Sequence, residues 1–399
     1  MTLKLEAWGH DSFELTPGQA IALNAGSLVV ARAGDRPGFW RVDADSRVGV
    51  VRLADGLEIR VKPRISIPQL MFLLGYAADP KGWREVGPTF GDERELFAAV
   101  ASAFAAHAER AVTPVPLQGY VTVKDTATTL RGTLRVSDQL ARWPGLPLPL
   151  ELAYDDYTAD IAENRLVLGA SELLLRLPLV PILVRQRLLR LRVALEGVTP
   201  SAPGPAIRAP APTRLNARYR SALALAELIL RSTSISTESG KTKGVEFVFD
   251  MNNVFEDFVA AAFREAFARH GGTIREQDAG HHLDAERKLK LKPDLTWWRA
   301  GRCRAVIDAK YKALKDDRFP NADAYQVLAY CTGFELSDGH LVYARGEGTR
   351  RGTHEISNAS KTIHVHALDL EVPPASLLGQ VAGLADRIYD GAAPKSLSA

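Results

Sequence analysis

Residues 292–312 leave the chain little freedom: Lys-Pro-Asp-Leu-Thr-Trp-Trp, a short polar turn at Arg299 to Arg302, then Cys-Arg-Ala-Val-Ile-Asp-Ala-Lys-Tyr-Lys. The pattern is that of two strands meeting at a tight turn. On the second strand Asp308 and Lys310 are two residues apart, and the period-two alternation of a strand sends both side chains to one face. The apolar run Ala305, Val306 and Ile307 makes that strand a buried one that delivers Asp308 to its edge. Asp294 stands near the start of the first strand. A hairpin whose two ends lie side by side therefore brings a second carboxylate to Asp308.

These side chains suit one chemistry. Mg²⁺ is a hard cation that takes carboxylate oxygens, keeps several waters and completes its shell with substrate phosphate. Such an ion polarises a phosphoryl oxygen, helps generate hydroxide and stabilises the leaving oxygen, while a lysine near the attacking water offsets developing negative charge. Hydrolysis of a phosphodiester needs those functions. The alternative is a surface ion pair between Asp308 and Lys310, worth at most about 1 kcal/mol. An apolar run leading into the aspartate argues against it. Upstream, Lys288, Lys290 and Lys292 share strand parity with Asp294, and residues 281–318 hold eleven Lys or Arg against six Asp or Glu, a net +5 where the whole chain is +3. With Lys312, these lysines are candidates to meet the phosphates of a nucleic-acid backbone.

The apolar spacing predicts a helix over 253–269, closed by Gly271 and Gly272, that buries Phe255, Phe258, Val259, Ala262, Phe263 and Ala266. Glu256 falls at the margin of that stripe, whereas Asp257 points to solvent with Arg264. A carboxylate at the edge of an apolar face is costly unless paired, so Glu256 is a candidate partner for a metal or a lysine. On the next helix Gln326 and Tyr330 stand at i and i+4, on one face. Gly240-Lys241-Thr242 looks like the end of a phosphate loop, but Ile235 stands where the first glycine belongs and a helix precedes it. No nucleotide site is expected there. His281 and His282 are adjacent on an extended segment and point apart, so they are not expected to share a metal with Asp284.

The rest of the chain is modular. At 399 residues it is too long for one ordinary core, which predicts two or three domains. Strands at Val48–Leu53 and Leu57–Val61 around Ala54-Asp55-Gly56 predict a half-buried antiparallel sheet within a β-rich N-terminal domain, residues 1–85. Helices are expected at Ile67–Ala78 and at about residues 93–110, the second with Leu96, Val100, Phe104 and His107 along one stripe. Residues 86–200 read as a mixed helical and β middle region, with short strands and turns over 114–149 and a helix from Thr158, as its cap, to Leu177. Asp160, Asn164 and Arg165 near its start are expected to bridge domains. Thr199 to Arg214 holds five prolines and reads as an extended connector. It enters residues 201–399, whose first helix spans 215–230 and which alternate helix and strand as an α/β domain. The richest apolar stretch, Leu173–Leu191, is broken by Arg176, Pro178, Pro181, Arg185, Arg187 and Arg190 and cannot span a bilayer. The acidic N-terminus lacks the core of a secretory signal, which predicts a cytoplasmic protein. Two cysteines, Cys303 and Cys331, exclude a disulfide framework and a cysteine-based zinc site.

Glu256, Pro293-Asp294, Asp308-Ala309-Lys310 and Gln326-x-x-x-Tyr330 together resemble the PD-(D/E)xK nuclease superfamily, the glutamine and tyrosine being those of its RecB-like branches. More narrowly, the chain resembles the McrC family, nuclease subunits of McrBC modification-dependent restriction systems. Val61-Lys-Pro-Arg-Ile65 with the helix to Gly75-Tyr76, Asp160 to Asn164-Arg165, Arg214-Leu-Asn216 and Phe249-Asp-Met-Asn252 all resemble segments of that family. The resemblance implies an α/β multidomain protein whose residues 201–399 form a restriction-endonuclease-like domain, a central mixed sheet flanked by helices. It implies a Mg²⁺-dependent endodeoxyribonuclease of a type IV restriction system, active in phage defence on double-stranded DNA. Cutting would require assembly with a McrB-like hexameric AAA+ GTPase, which residues 1–85 would contact and stimulate. Glu256, Asp294, Asp308, Lys310, Gln326 and Tyr330 would be catalytic, with Asp294, Asp308 and Glu256 on the metal and no nucleotide bound by this chain. The residues themselves leave open a stand-alone repair or recombination nuclease, or a non-catalytic activator of a partner NTPase.

Overall fold

The computed structural model describes residues 2–80, 96–177, 180–204, 206–238, 241–312, 321–344 and 352–392. The chain forms two compact units, one of Met1–Ala99 with Ile235–Ala399 and one of Val100–Ser234. In the first, β1 (Thr2–Glu6), β2 (His10–Glu14), α1 (Pro17–Ala25), β3 (Val29–Ala33), β4 (Phe39–Ala44), β5 (Arg47–Leu53) and β6 (Glu58–Lys62) precede α2 (Ile67–Ala78). The β5–β6 hairpin and α2 match the sequence expectation, with Gly56 at φ +87° in the turn. Two features differ. Glu58, an acid within a strand expected to be only half-buried, is buried and holds Arg60 Nε at 2.5 Å. β1 runs parallel to β6, so the sheet is mixed rather than antiparallel.

The second unit begins within α3 (Leu96–Val112), which buries Leu96, Val100 and Phe104; residues 93–95, where the apolar spacing starts, lie outside the described residues. There follow β7 (Gly119–Ala127), β8 (Thr133–Leu134), α4 (Val136–Arg142), β9 (Leu150–Thr158), α5 (Ala162–Arg176), α6 (Ile182–Ala194) and α7 (Arg220–Ser232). β7 and β9 are not short strands but pair antiparallel over nine residues each. Thr158 does not cap α5: it ends β9, and its hydroxyl accepts the Asp160 N–H at 3.1 Å. α6 is unheralded, because its buried Val184, Leu188 and Leu191 are interleaved with arginines. Asn164 is fully buried; its amide donates to the carbonyls of Leu117 and Ala159, both at 2.7 Å, and its oxygen accepts the Tyr219 hydroxyl at 2.9 Å. Asp160 accepts Arg165 Nε and Nη2 at 2.7 and 2.8 Å and the Thr199 N–H at 2.9 Å. These partners all lie in the second unit, so the cluster ties that unit together instead of bridging domains. The proline-rich stretch is irregular, as read, and is anchored to the same unit: Ser201 N–H donates to Arg165 O, Gly204 N–H to Leu230 O and Ala209 N–H to Glu227.

The chain then continues through β10 (Thr233–Glu238), β11 (Lys241–Asp250), α8 (Met251–Phe267), β12 (Thr273–Glu276), β13 (Leu295–Arg299), β14 (Arg302–Lys310), α9 (Asn321–Gly333), β15 (Asp338–Ala344), β16 (Gly352–Ile356), β17 (Lys361–Leu368) and α10 (Pro374–Ala392). Gly240, of the Gly-Lys-Thr sequence, lies outside the described residues. β11 pairs antiparallel with β5, giving the sheet order β1-β6-β5-β11-β10. Close approach of these two strands requires Gly49, since a Cβ there would sit 1.9 Å from the Phe247 carbonyl oxygen. A sheet so built joins strands from far apart in the chain, whereas the expected segments 1–85, 86–200 and 201–399 follow chain order.

A second, six-stranded sheet has the order β12-β13-β14-β15-β17-β16. β14, β15 and β17 run parallel, and the outer strands are antiparallel to their neighbours. Parallel neighbours need a crossover connection, and α9 supplies the one between β14 and β15. It packs Val327, Tyr330 and Cys331 on Val306, Leu341, Tyr343, Ile363 and Val365. Among the described residues no helix is long and apolar enough to cross a membrane.

Candidate active site

The β13–β14 hairpin closes through Ala300 and Gly301, at φ +51° and +74°, the left-handed pair that a two-residue type I′ turn requires. Near the turn the strands pair as Arg299 with Arg302 and Trp298 with Cys303, but the next pair is Trp297 with Ala305. Arg304 is thus the extra residue of a β-bulge. Leu295 then pairs with Ile307, which sets Asp294 abreast of Asp308, and Asp294 Oδ2 accepts the Ala309 N–H at 2.9 Å. The two ends of the hairpin do lie side by side.

Asp308 has no exposed surface, and neither carboxylate oxygen receives a well-directed hydrogen bond. Its charge is met by Lys310, whose Nζ lies 2.7 Å from Oδ2. Burial first, and then the Asp294 charge, push the Asp308 carboxyl up to about 7 against the opposing pull of Lys310. Asp294, abreast of it in the ladder, is thus the chief source of opposing negative charge for Asp308. Glu256 lies half-buried on α8, at the margin of the stripe formed by Phe255, Phe258, Val259 and Phe263, as the apolar spacing indicates. Its burial, followed by the Asp294 charge, raises it to about 7 as well. Burial alone would lower the Lys310 ammonium, but Asp308 and Asp294 outweigh it and hold the group above its usual value.

Gln326 and Tyr330 act on the backbone that carries Asp294. The Gln326 amide donates to the Tyr330 hydroxyl at 2.9 Å, and that hydroxyl donates at 2.9 Å to the Lys292 carbonyl, two residues before Asp294. A residue the sequence reading missed completes this side. Asp323, buried in the first turn of α9, takes Lys312 Nζ at 2.7 Å and the Tyr343 hydroxyl at 2.6 Å on one oxygen. Its signal was present in the stripe Asp323, Val327, Tyr330, an i, i+4, i+7 spacing with an acid at a buried position.

The lysines upstream are not on a strand. β13 begins at Leu295, and Lys288, Lys290 and Lys292 lie exposed in an irregular segment. Asp284 shapes it by accepting the N–H groups of Lys288 and Leu289, Arg287 adopts φ +58°, and Pro293 has no N–H to extend the ladder. Lys288 pairs with Glu286 at 2.5 Å. His281 Nε2 is 3.6 Å from Asp278, and its ring packs on Phe334 and Trp298.

Among the described residues no three His, Cys, Asp or Glu side chains form a ready metal cage. Mg²⁺ does not need one, because one or two carboxylates suffice when water and phosphate fill its remaining positions. The adjoining Asp294 and Asp308 fit that requirement, since Asp308 Oδ1 is buried without a hydrogen bond, and Glu256 adds a third carboxylate within electrostatic reach.

The sequence model for the McrBC 5-methylcytosine restriction system component family matches residues 42–344. Among solved structures, the chain is similar to a chain of the refined half-complex from a tetradecameric assembly of Thermococcus gammatolerans McrB AAA+ hexamers with bound McrC. The two are 17% identical, with 97% of this chain and 100% of that one covered at a TM-score of 0.58. A chain of the Thermococcus gammatolerans McrBC complex seen by cryo-electron microscopy is similar at 18% identity over 69% of this chain and 90% of that one, at a TM-score of 0.40. No curated protein matches. At such identities the likeness to the first of these structures is one of fold.

Proposed function

Because the chain belongs to the family of McrBC 5-methylcytosine restriction system components, we propose that it is a McrC-type subunit that hydrolyses DNA phosphodiesters at Glu256, Asp294, Asp308 and Lys310. On this reading it cuts double-stranded DNA with Mg²⁺, inside the cell, when assembled with a McrB-like AAA+ GTPase hexamer that residues 1–85 contact and stimulate. The partner assignment draws support from the fold-similar chain, which comes from an assembly of McrB AAA+ hexamers with bound McrC. The assignment of a PD-(D/E)xK domain draws support from the mixed sheet of β12 to β17 with its helices α8, α9 and α10.

The observation that carries the reading is the fully buried carboxylate of Asp308 abreast of Asp294, with Lys310 on Oδ2 and no hydrogen bond on Oδ1. One ammonium does not balance the adjoining carboxylates of Asp308 and Asp294 in such a place, and a bound cation would offset the remaining charge. Asp294 and Asp308 would hold Mg²⁺, with Glu256 as a third carboxylate. When bound, the ion supplies Lewis acidity toward the phosphoryl oxygen and toward an attacking water. Lys310 holds Asp308 Oδ2 and presents a positive charge where negative charge develops. Gln326 and Tyr330 fix the backbone before Asp294, and the exposed Lys290 and Lys292 are placed to attract backbone phosphate.

The test separates the modules. Asp308→Ala and Lys310→Ala should abolish Mg²⁺-dependent cleavage by the assembled complex while partner binding and GTP hydrolysis continue at wild-type levels. A folded variant that loses cleavage and GTPase stimulation together would count against the proposal.

A further inference from the structure

Lys310 and Lys312 stand two residues apart, and each is met by its own buried carboxylate. Asp308 takes Lys310 at 2.7 Å; Asp323 takes Lys312 at 2.7 Å. Asp323 is 6% exposed, so an aspartate there is costly without partners. It finds two, the Lys312 ammonium and the Tyr343 hydroxyl, on the same oxygen. Tyr343 in turn is the register partner of Lys310 across β14 and β15. One carboxylate oxygen therefore joins the chain just after β14, the first turn of α9 and the middle of the sheet. The clusters are within electrostatic reach of each other, since Asp323 acts on Lys310 and Asp308 acts on Tyr343.

We propose that Asp323 is a positioning residue for the cleavage site: it holds the Lys312 ammonium at the rim, so that Lys310 alone engages Asp308. Without Asp323, Lys312 is a half-buried cation without its counterion beside a cluster of three carboxylates. It would swing toward Asp308 and compete with Lys310 for the oxygen that Lys310 now holds. The inference rests on the nuclease reading, and its tests are chosen to fail separately from it.

The first test uses the full wild-type chain without metal or partner, exposed to a limiting acylating reagent and read by mass spectrometry of each lysine. Held by a carboxylate, Lys312 should react at least about threefold more slowly than the exposed Lys290 and Lys292. Equal rates would overturn the proposal with no variant needed. In Asp323→Asn, where Lys312 shares Asp308 with Lys310, Lys310 should react faster than in wild type, while Asp323→Glu should leave both lysines near their wild-type rates.

The second test is cleavage by the assembled complex. Asp323→Asn should lower kcat by about tenfold or more with a smaller change in KM, and Asp323→Asn with Lys312→Gln should recover to the level of Lys312→Gln alone. A purely structural loss would not be relieved by removing Lys312, and that result would refute the positioning role. A wild-type complex that does not cleave would sink the nuclease reading, while the acylation rates would still decide whether Asp323 holds Lys312.

Discussion

Asp308→Asn should make the metal-free chain more stable while it abolishes cleavage. The native carboxyl is raised from 3.8 to about 7, chiefly by burial. A shift of roughly three units corresponds to about 4 kcal/mol at about 1.4 kcal/mol per unit. The sign follows from proton binding: between pH 3.8 and about 7 the native state keeps a proton that the unfolded chain has released, so stability falls as pH rises through that window. Above it the full penalty is present, and below it Asp308 is neutral and close in shape to asparagine. The gain from substitution is offset in part because Lys310 loses its partner at 2.7 Å. Urea unfolding in EDTA should then show Asp308→Asn more stable than wild type by about 1 to 3 kcal/mol at pH 8, with the two converging near pH 4. Adding Mg²⁺ should stabilise wild type and not the variant. Parallel pH dependences for the two proteins, or a variant less stable than wild type at pH 8, would refute the claim that burial of this charge strains the fold.

Tyr330→Phe should leave the Lys292 carbonyl without its donor, lower stability by about 1 to 2 kcal/mol in urea, and reduce kcat more than it raises KM. An unchanged kcat would show that the Asp294 segment is held by other means. In the second unit, the hydrogen bonds from Arg165 to Asp160, assisted by Thr199, hold that carboxyl down at about 2. Its contribution is present above pH 3.8 and fades as pH falls toward 2. With Arg165 41% exposed, solvent screening reduces the contribution to about 1 to 2 kcal/mol. Asp160→Asn should cost that much at pH 7 and much less at pH 2.5, read by hydrogen exchange at the start of α5; an equal loss at both pH values would remove the ion pair as the cause.

What was legible in the sequence was local. The β13–β14 hairpin, α2, the β5–β6 hairpin and the buried stripe of α8 were each encoded within about twenty residues by period and turn chemistry. Tertiary choices were less so. Nothing near Lys241–Asp250 announces that it will lie beside Arg47–Leu53, because pairing partners distant in sequence leave no periodic trace. α6 was hidden because its buried residues are outnumbered by arginines, and the lysine row at 288–292 failed because parity has meaning only inside a strand. Asp323 was overlooked because an acid between Ala322 and Ala324, with Asn321 and the exposed Tyr325 beside them, reads as surface until the strand that brings Tyr343 to it is known.

The bulge at Arg304 shows how local and non-local information meet at the site. Counted straight back from the turn, the ladder that pairs Arg299 with Arg302 would set Asp294 against Ile307; the extra residue sets it against Asp308 instead. Since strand side chains alternate, a slip of one position sends a residue to the other face. The four charged groups would then all remain in the chain, yet Asp294 would sit on the opposite side of the sheet from Asp308 and Lys310. Spacing alone does not distinguish those outcomes, which is why the pattern of acids and lysine could nominate the site while only the paired strands could assemble it. The α9 contacts enforce the chosen register from the other side: Tyr330 holds the Lys292 carbonyl and Asp323 holds Lys312, so both ends of the hairpin are pinned to one helix. A slip would have to break both contacts as well as the ladder, and the placement of Asp294 beside Asp308 is thereby more secure than that of a surface ion pair.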